Sequence, residues 1–120
     1  MSAGRPPLSE PERLLAALAH LAGIIDARAL EGDAGTSWTA RLLSRGPDAA
    51  AAKVAEEGAE LAEAVRRESD ERVASEAADL FFHILVALRA RGVPLDAVAE
   101  MLENRQGTSG LAEKAARKPD

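Results

Sequence analysis

The sequence predicts an all-α fold of four main helices and one short helix in a single domain. Alanine, leucine and glutamate, which favour helices, are abundant, whereas Trp38, Phe81 and Phe82 are the only aromatic residues. Apolar residues recur at helical spacing along most of the chain. We expect the domain to span residues 9–106, between a flexible N-terminus of residues 1–8 and a Gly-rich, basic C-terminal tail of residues 107–120.

The first main helix is predicted at about residues 10–30. Ser9 and Glu12 have the spacing of a capping box, and Pro11 lies in the first turn, where proline is tolerated. The apolar residues that follow at helical spacing are Leu14, Leu15, Leu18, Leu21, Ile24 and Ile25.

A short helix is predicted within SWTARLLSRG, after the Gly-rich break EGDAGTS and before Gly46. Arg41 and Arg45 lie four residues apart and therefore on one side of this helix. Two interpretations are open: solvated surface charges, or arginines that bind phosphate through the guanidinium group. The spacing alone favours the surface interpretation.

The second main helix is predicted from Pro47 to about Arg67. Val54, Leu61 and Val65 gather on one side of it. The opposite side is charged and consists of Lys53, Glu56, Glu57, Glu60 and Glu63. Taken alone, this pattern indicates a solvent-exposed acidic side.

The third main helix is predicted from about Asp70, capped by Ser69 or by Asp70 itself, to about Arg91 before Gly92. Its residues 80–88, LFFHILVAL, are apolar on every side except at His83, which is typical of a buried helix. The fourth main helix is predicted at residues 94–105, where apolar residues recur after a proline.

Two acidic pairs share one spacing: Glu57 with Glu60, and Glu76 with Asp79. Residues three apart lie on one face of a helix, so packing the two helices would bring four carboxylates together. Such a group favours a hard divalent cation, Mg²⁺ or Mn²⁺ as its substitute. Carboxylates next to the apolar segment are costly without a partner, and the scarcity of nearby lysine and arginine favours a metal over an ion pair. His83 is interpreted as a buried histidine bonded to the backbone, with contact to Asp79 as the alternative.

Composition excludes several classes of site. The absence of cysteine excludes disulfides, thiolate metal sites and a cysteine nucleophile. A net charge of −5 argues against nucleic-acid binding, and no apolar run approaches the ~20 residues of a membrane span. The first residues lack the apolar segment of a secretory signal, so we expect a cytoplasmic protein.

The acidic motif resembles a family signature. The pattern E-E-x-x-E followed by E-x-x-D resembles that of the all-α NTP pyrophosphatase superfamily. Residues 37–61 and 76–98 are similar to the phosphoribosyl-ATP pyrophosphatase family, and the resemblance covers about residues 10–105. The segment GTSGLAEKAARK also resembles an ending found in part of that family. The chain differs by having Trp38 where tyrosine is commoner, Arg41 where lysine is frequent and Pro94 where serine is common.

This resemblance implies an activity, a cofactor and an assembly. The implied reaction is hydrolysis of phosphoribosyl-ATP to phosphoribosyl-AMP and pyrophosphate, the second step of L-histidine biosynthesis. Mg²⁺ is the implied cofactor, and the implied homodimer has helices that complete one another's sites. The chain resembles the stand-alone form, without an added cyclohydrolase domain.

The resemblance also assigns roles to individual residues. The expected metal ligands, for one or two ions, are Glu57, Glu60, Glu76 and Asp79. The expected catalytic carboxylates are Glu56 and Glu57, where Glu56 orients or deprotonates the water or else binds metal. The expected phosphate contacts are Arg41, Arg45 and Lys53, with a weaker case for Lys114 and Arg117.

Two alternative functions stay open at this point. One is a house-cleaning nucleoside triphosphate pyrophosphatase of the same superfamily. The other is a non-enzymatic helical dimerisation or adaptor module whose acidic side binds a basic partner.

Overall fold

Five α-helices make up the secondary structure of the computed structural model, which describes residue 4 and residues 6–31 and 37–106. They are α1 (Glu10–Glu31), α2 (Trp38–Ser44), α3 (Pro47–Arg67), α4 (Asp70–Arg91) and α5 (Leu95–Arg105). The described residues contain no strand, which confirms the predicted all-α fold with one short helix. Most of the Gly-rich break, much of the predicted N-terminal segment and the whole tail with Lys114 and Arg117 lie outside the described residues.

Local capping explains where the main helices begin and end. The Ser9 and Glu12 side chains each accept a hydrogen bond from the other residue's backbone N–H at 3.3 Å, which confirms the capping box. The Ser69 hydroxyl accepts a hydrogen bond from the Arg72 N–H at the start of α4. Gly92 ends α4 with a φ of 79°, a left-handed conformation that other residues adopt only at a cost.

Helices α3 and α4 form an antiparallel pair. Only Glu68 and Ser69 connect them, and this pair is the most extensively packed in the described chain. Residues early in α3 therefore meet residues late in α4, as the contact between Glu57 and His83 shows. The pairing brings the middle of α3 against the first half of α4, where both predicted acidic pairs lie.

A small hydrophobic core joins the first four helices. Its buried members are Ile25 of α1, Leu42 of α2, Ala50 of α3 and Val86 of α4. The apolar residues packed around them are Leu21, Leu43, Phe82, Leu85, Ala87 and Ala90. This core fixes α3 and α4 against the other helices and so holds the acidic segments in register.

A large apolar surface is left uncovered by these five helices. Helix α5 has no buried residue. Phe81 and Ile84 are 38% and 37% exposed, although the sequence predicts a helix buried on every side. The other exposed apolar residues of α1 and α5 include Leu14, Leu15, Ile24, Val98, Met101 and Leu102. Within the described ranges, none of the helices has the length and apolar character needed to cross a membrane.

Candidate active site

Five carboxylates converge between α3 and α4. Glu56, Glu57 and Glu60 have oxygen atoms within 4.8 Å of one another, and so do Glu57, Glu76 and Asp79. Glu57 belongs to both groups and therefore joins the two acidic pairs. We call these five residues the acidic cluster. The structure thus brings together the carboxylates that helix spacing predicts as neighbours, while their role as ligands stays a prediction.

The acidic side of α3 lies only partly against α4. The Glu57 side chain is only 10% exposed, whereas Val65, on the predicted apolar side, is 65% exposed as a residue. The solvent-exposed acidic side indicated by the pattern of α3 alone is therefore confirmed for Glu56, Glu60 and Glu63, which are exposed, and wrong for Glu57, which is buried. Helical spacing places these glutamates on one side of α3, but the burial of Glu57 depends on the packing of α4, whose His83 contacts it.

Two carboxylate oxygens of the cluster are buried without hydrogen bonds. Oε2 of Glu57 and Oε2 of Glu76 have no hydrogen-bond partner among the described residues. The side chains that carry them are 10% and 5% exposed. Burying an ionised carboxylate costs several kcal/mol unless it is paired, hydrogen-bonded or bound to a metal. The donor set therefore fits a divalent cation, because all its atoms are carboxylate oxygens and two of them lack a partner.

Basic side chains lie close to the other carboxylate oxygen, Oε1, of Glu57 and of Glu76. Arg72 Nη2 lies 2.6 Å from Oε1 of Glu76. Lys53 Nζ lies 3.4 Å from Glu56 Oε2 and 3.7 Å from Glu57 Oε1. The inference that lysine and arginine are scarce near the cluster is wrong, because Arg72 is placed one helical turn before Glu76. The i,i+4 spacing of these two residues is a sequence signal that could have identified the contact.

Burial and neighbouring negative charge both affect the titration of Glu76. Burial raises the pKa of Glu76 above its ordinary value, and the neighbouring carboxylate of Glu60 acts in the same direction. The positive charge of Arg72 opposes this rise in pKa. A bound cation would act in the same direction as Arg72, because a positive charge favours the ionised carboxylate.

His83 contacts a glutamate across the helix pair. Its Nε2 atom lies 3.8 Å from Oε1 of Glu57, and its Nδ1 atom has no hydrogen-bond partner among the described residues. The interpretation of His83 as bonded to the backbone is therefore wrong. Burial lowers the pKa of His83, and the charge of Lys53 lowers it further. The imidazole is consequently neutral at neutral pH, so the contact with Glu57 is not an ion pair.

The predicted arginine contacts lie on α2. Arg41 is in its last turn and Arg45 follows its last residue, and both are exposed. Helix α2 packs against both α3 and α4. Their binding of phosphate stays a prediction.

Two cavities lie away from the acidic cluster. The larger, about 410 Å³, is lined by α1, the end of α4 and the start of α5, and includes Asp26 and Arg89. The smaller, about 280 Å³, lies between α1, α2 and α4. Neither is lined by a cluster carboxylate.

Comparison with known proteins identifies a family. The model of a family described as "Phosphoribosyl-ATP pyrophosphohydrolase" matches residues 18–106, which include the whole acidic cluster. A protein of Cereibacter sphaeroides is 52% identical over 102 residues, covering 83% of this chain and 96% of that relative. A protein of Methylobacterium radiotolerans is 49% identical and one of Caulobacter vibrioides is 48% identical, covering 85% and 88% of this chain and 94% and 97% of those relatives. All three relatives are named phosphoribosyl-ATP pyrophosphatase.

Proposed function

This chain belongs to the phosphoribosyl-ATP pyrophosphohydrolase family and hydrolyses phosphoribosyl-ATP to phosphoribosyl-AMP and pyrophosphate, and we propose that the acidic cluster is its active site. The reaction is the second step of L-histidine biosynthesis. We also propose a cytoplasmic location, because the substrate and product are highly charged nucleotides that do not cross membranes unaided.

The proposal rests on the two buried oxygens without hydrogen bonds. Oε2 of Glu57 and Oε2 of Glu76 lie in a group of carboxylates close enough to share one ion. The proposed ligands of Mg²⁺, for which Mn²⁺ is the expected substitute, are Glu57, Glu60, Glu76 and Asp79. When bound, a divalent cation would neutralise charge on the triphosphate of the substrate.

Glu56 differs from the other members of the cluster in its exposure. Its side chain is 56% exposed, compared with 10% for Glu57, although both carboxylates lie in one group. A carboxylate open to solvent next to a cation site is well placed to orient a water molecule and accept its proton. We assign this role to Glu56. Glu57, whose side chain is buried, belongs to the same catalytic centre as a proposed ligand of the cation.

Lys53 supplies a positive charge beside the proposed water site. Its Nζ atom lies within 4 Å of both Glu56 and Glu57, and its side chain is 28% exposed. A lysine held in this way presents hydrogen-bond donors to a phosphate oxygen that approaches the cluster. Arg41 and Arg45 are the proposed contacts for more distant phosphates, since guanidinium groups bind phosphate with two parallel hydrogen bonds.

We propose a homodimer on the basis of the apolar surface. The described chain buries only six apolar residues. Aliphatic side chains of α1 and α5 are exposed, and so are Phe81 and Ile84 of α4. Exposed apolar surface on this scale marks interaction sites in soluble proteins. Helix α4 carries both Glu76 of the acidic cluster and the exposed Phe81 and Ile84, which is consistent with a site that a second copy completes.

Pyrophosphate release from phosphoribosyl-ATP tests the proposal. Purified protein with Mg²⁺ is expected to release pyrophosphate, and chelation of the metal is expected to stop the release. Glu76→Gln is the matched variant: it should lose activity while its helical circular dichroism is retained. Turnover of dCTP without turnover of phosphoribosyl-ATP would refute the substrate, and full activity of Glu76→Gln would refute the site.

A binding experiment separates the enzyme from a helical adaptor. Calorimetric titration with Mg²⁺ or Mn²⁺ is expected to show saturable binding to the wild-type protein. An adaptor that binds a basic partner through its acidic side would show no saturable binding of the ion.

A further inference from the structure

Arg72 bridges two glutamates at the start of α4. Its Nε atom lies 3.2 Å from Oε1 of Glu68, and its Nη2 atom lies 2.6 Å from Oε1 of Glu76. The backbone N–H of the same residue donates to the Ser69 hydroxyl, which caps the helix. The guanidinium group is therefore held at two points, and these contacts orient it relative to Glu76.

The contact makes the two oxygens of Glu76 inequivalent. Oε1 accepts a short, charge-assisted hydrogen bond from Arg72. Oε2 is buried and has no hydrogen-bond partner in the described part of the chain. A carboxylate fixed through one oxygen cannot rotate about its terminal bond without breaking that hydrogen bond.

We propose that Arg72 is a positioning residue that fixes Glu76 so that Oε2, and not Oε1, binds the divalent cation. This inference rests on the proposed function of the acidic cluster as a metal site. Hydrogen bonds to a metal-ligating carboxylate orient it, and losing such a partner typically lowers metal affinity about 10–100-fold.

The Arg72 contact differs from the other arginine–glutamate pairs on the same two helices. The Arg67–Glu63 pair has the same four-residue spacing, but its atoms are 3.6 Å apart and its side chains are 74% and 50% exposed. Glu76, in contrast, is almost completely buried. Arg67 therefore provides a matched control, because the same kind of side chain pairs with a glutamate outside the acidic cluster.

The direction of the change in Mg²⁺ affinity distinguishes a positioning role of Arg72 from a purely electrostatic one. Arg72 is a cation next to a cation site, so removing only its charge would strengthen Mg²⁺ binding. Removing an orienting hydrogen bond weakens the binding instead. The two roles therefore predict opposite changes in the dissociation constant.

The test compares Arg72→Met, Arg72→Lys and Arg67→Met with the wild-type protein by calorimetric titration with Mg²⁺ in the absence of substrate. Arg72→Met is expected to raise the dissociation constant about tenfold or more. Arg72→Lys keeps a single charged donor group, the ammonium, and is expected to recover part of the affinity, whereas Arg67→Met should match the wild type. In the pyrophosphate assay, the Mg²⁺ concentration for half-maximal rate should rise by the same factor as the dissociation constant of Arg72→Met.

Unchanged or tighter Mg²⁺ binding by folded Arg72→Met would overturn the inference. If this variant does not fold by circular dichroism, Arg72→Gln, which keeps a short polar side chain, is measured instead with the same expected sign. A wild-type protein that binds Mg²⁺ and releases pyrophosphate supports the proposed function independently of these variants. A wild-type protein that binds no Mg²⁺ would overturn both proposals.

Discussion

Substituting Glu57 by glutamine should remove most of the stabilisation of the protein by Mg²⁺. Glu57 is the only described residue shared by the two groups of close carboxylates, and its side chain is 10% exposed. Glutamine has nearly the same shape but offers a neutral carbonyl oxygen. The variant should therefore fold normally and lose the oxygen that joins the two halves of the proposed metal site.

The expected effect on stability follows from binding linkage. At a free Mg²⁺ concentration of 100 times the dissociation constant, the folded wild-type protein gains about 2.7 kcal/mol. Losing a direct ligand should weaken binding by about 100-fold, the upper end of the effect of losing an outer partner. The gain then falls to about 0.4 kcal/mol at the same Mg²⁺ concentration. For a domain of this size, Mg²⁺ should raise Tm by roughly 8–14 °C in the wild type and by about 1–2 °C in the variant.

The metal-free variant should be no less stable than the metal-free wild type. At an effective dielectric constant of 20 and the 4.8 Å limit of the group, Glu57 and Glu76 repel by about 3.5 kcal/mol. Lys53, at 3.7 Å, attracts Glu57 by about 4.5 kcal/mol on the same basis. Glutamine removes this attraction and this repulsion, together with the repulsion by the three other cluster carboxylates, so loss of the charge should not destabilise the metal-free protein.

Thermal unfolding with EDTA and with saturating Mg²⁺ measures both quantities. Glu63→Gln is the control, because Glu63 lies on the same helix outside both carboxylate groups and its side chain is 50% exposed. A wild-type Mg²⁺ shift that persists in Glu57→Gln would show that Glu57 is not a ligand. A large fall in the Tm of the metal-free variant would show that the carboxylate is structural.

Three further predictions concern the scaffold and the titration of the cluster. Gly92→Ala should lower the free energy of unfolding, measured in urea, by about 1 kcal/mol, because a φ of 79° is strained for alanine. The added Cβ would meet no heavy atom within 4 Å, so kcat should be unchanged. An unchanged free energy of unfolding would refute the strain. Val86→Ala should cost about 2 kcal/mol in the same assay, since the residue is 1% exposed in the core, and a cost near zero would contradict that packing. In EDTA, the stability contributed by Glu76 is present below its ordinary pKa of 4.5 and is lost as the pH rises through its raised pKa in the folded state. The Tm of the wild type relative to Glu76→Gln should therefore fall as the pH increases from 4.5, and a rising difference would refute the direction of the pKa shift.

Local signals determine the parts of the fold that the sequence predicts well. The capping residues Ser9 and Ser69 and the terminating Gly92 act within a few residues of themselves, so the helix boundaries follow from them. The convergence of the acidic pairs is also predictable, because a short connection forces two amphipathic helices to pack.

Contacts across helices account for what the sequence does not predict. The neighbour of His83 is Glu57, 26 positions away in the sequence, and nothing in the local pattern selects it over Asp79 or the backbone. The exposure of Phe81 and Val65 likewise depends on which surfaces the other helices cover. Arg72 is an intermediate case, because its i,i+4 relation to Glu76 is visible but its short distance depends on the rotamers of both side chains.

The two-residue connection between α3 and α4 also affects how the protein folds. All five cluster carboxylates lie between positions 56 and 79, so they meet after the closure of a short loop that loses little chain entropy. Contacts of low sequence separation form quickly, which favours the helical hairpin as an early folding unit. Because the hairpin concentrates negative charge before α1 and α2 dock, cations in the medium should accelerate its formation. The segment that carries the proposed metal site is thereby expected to make the folding rate depend on ionic conditions.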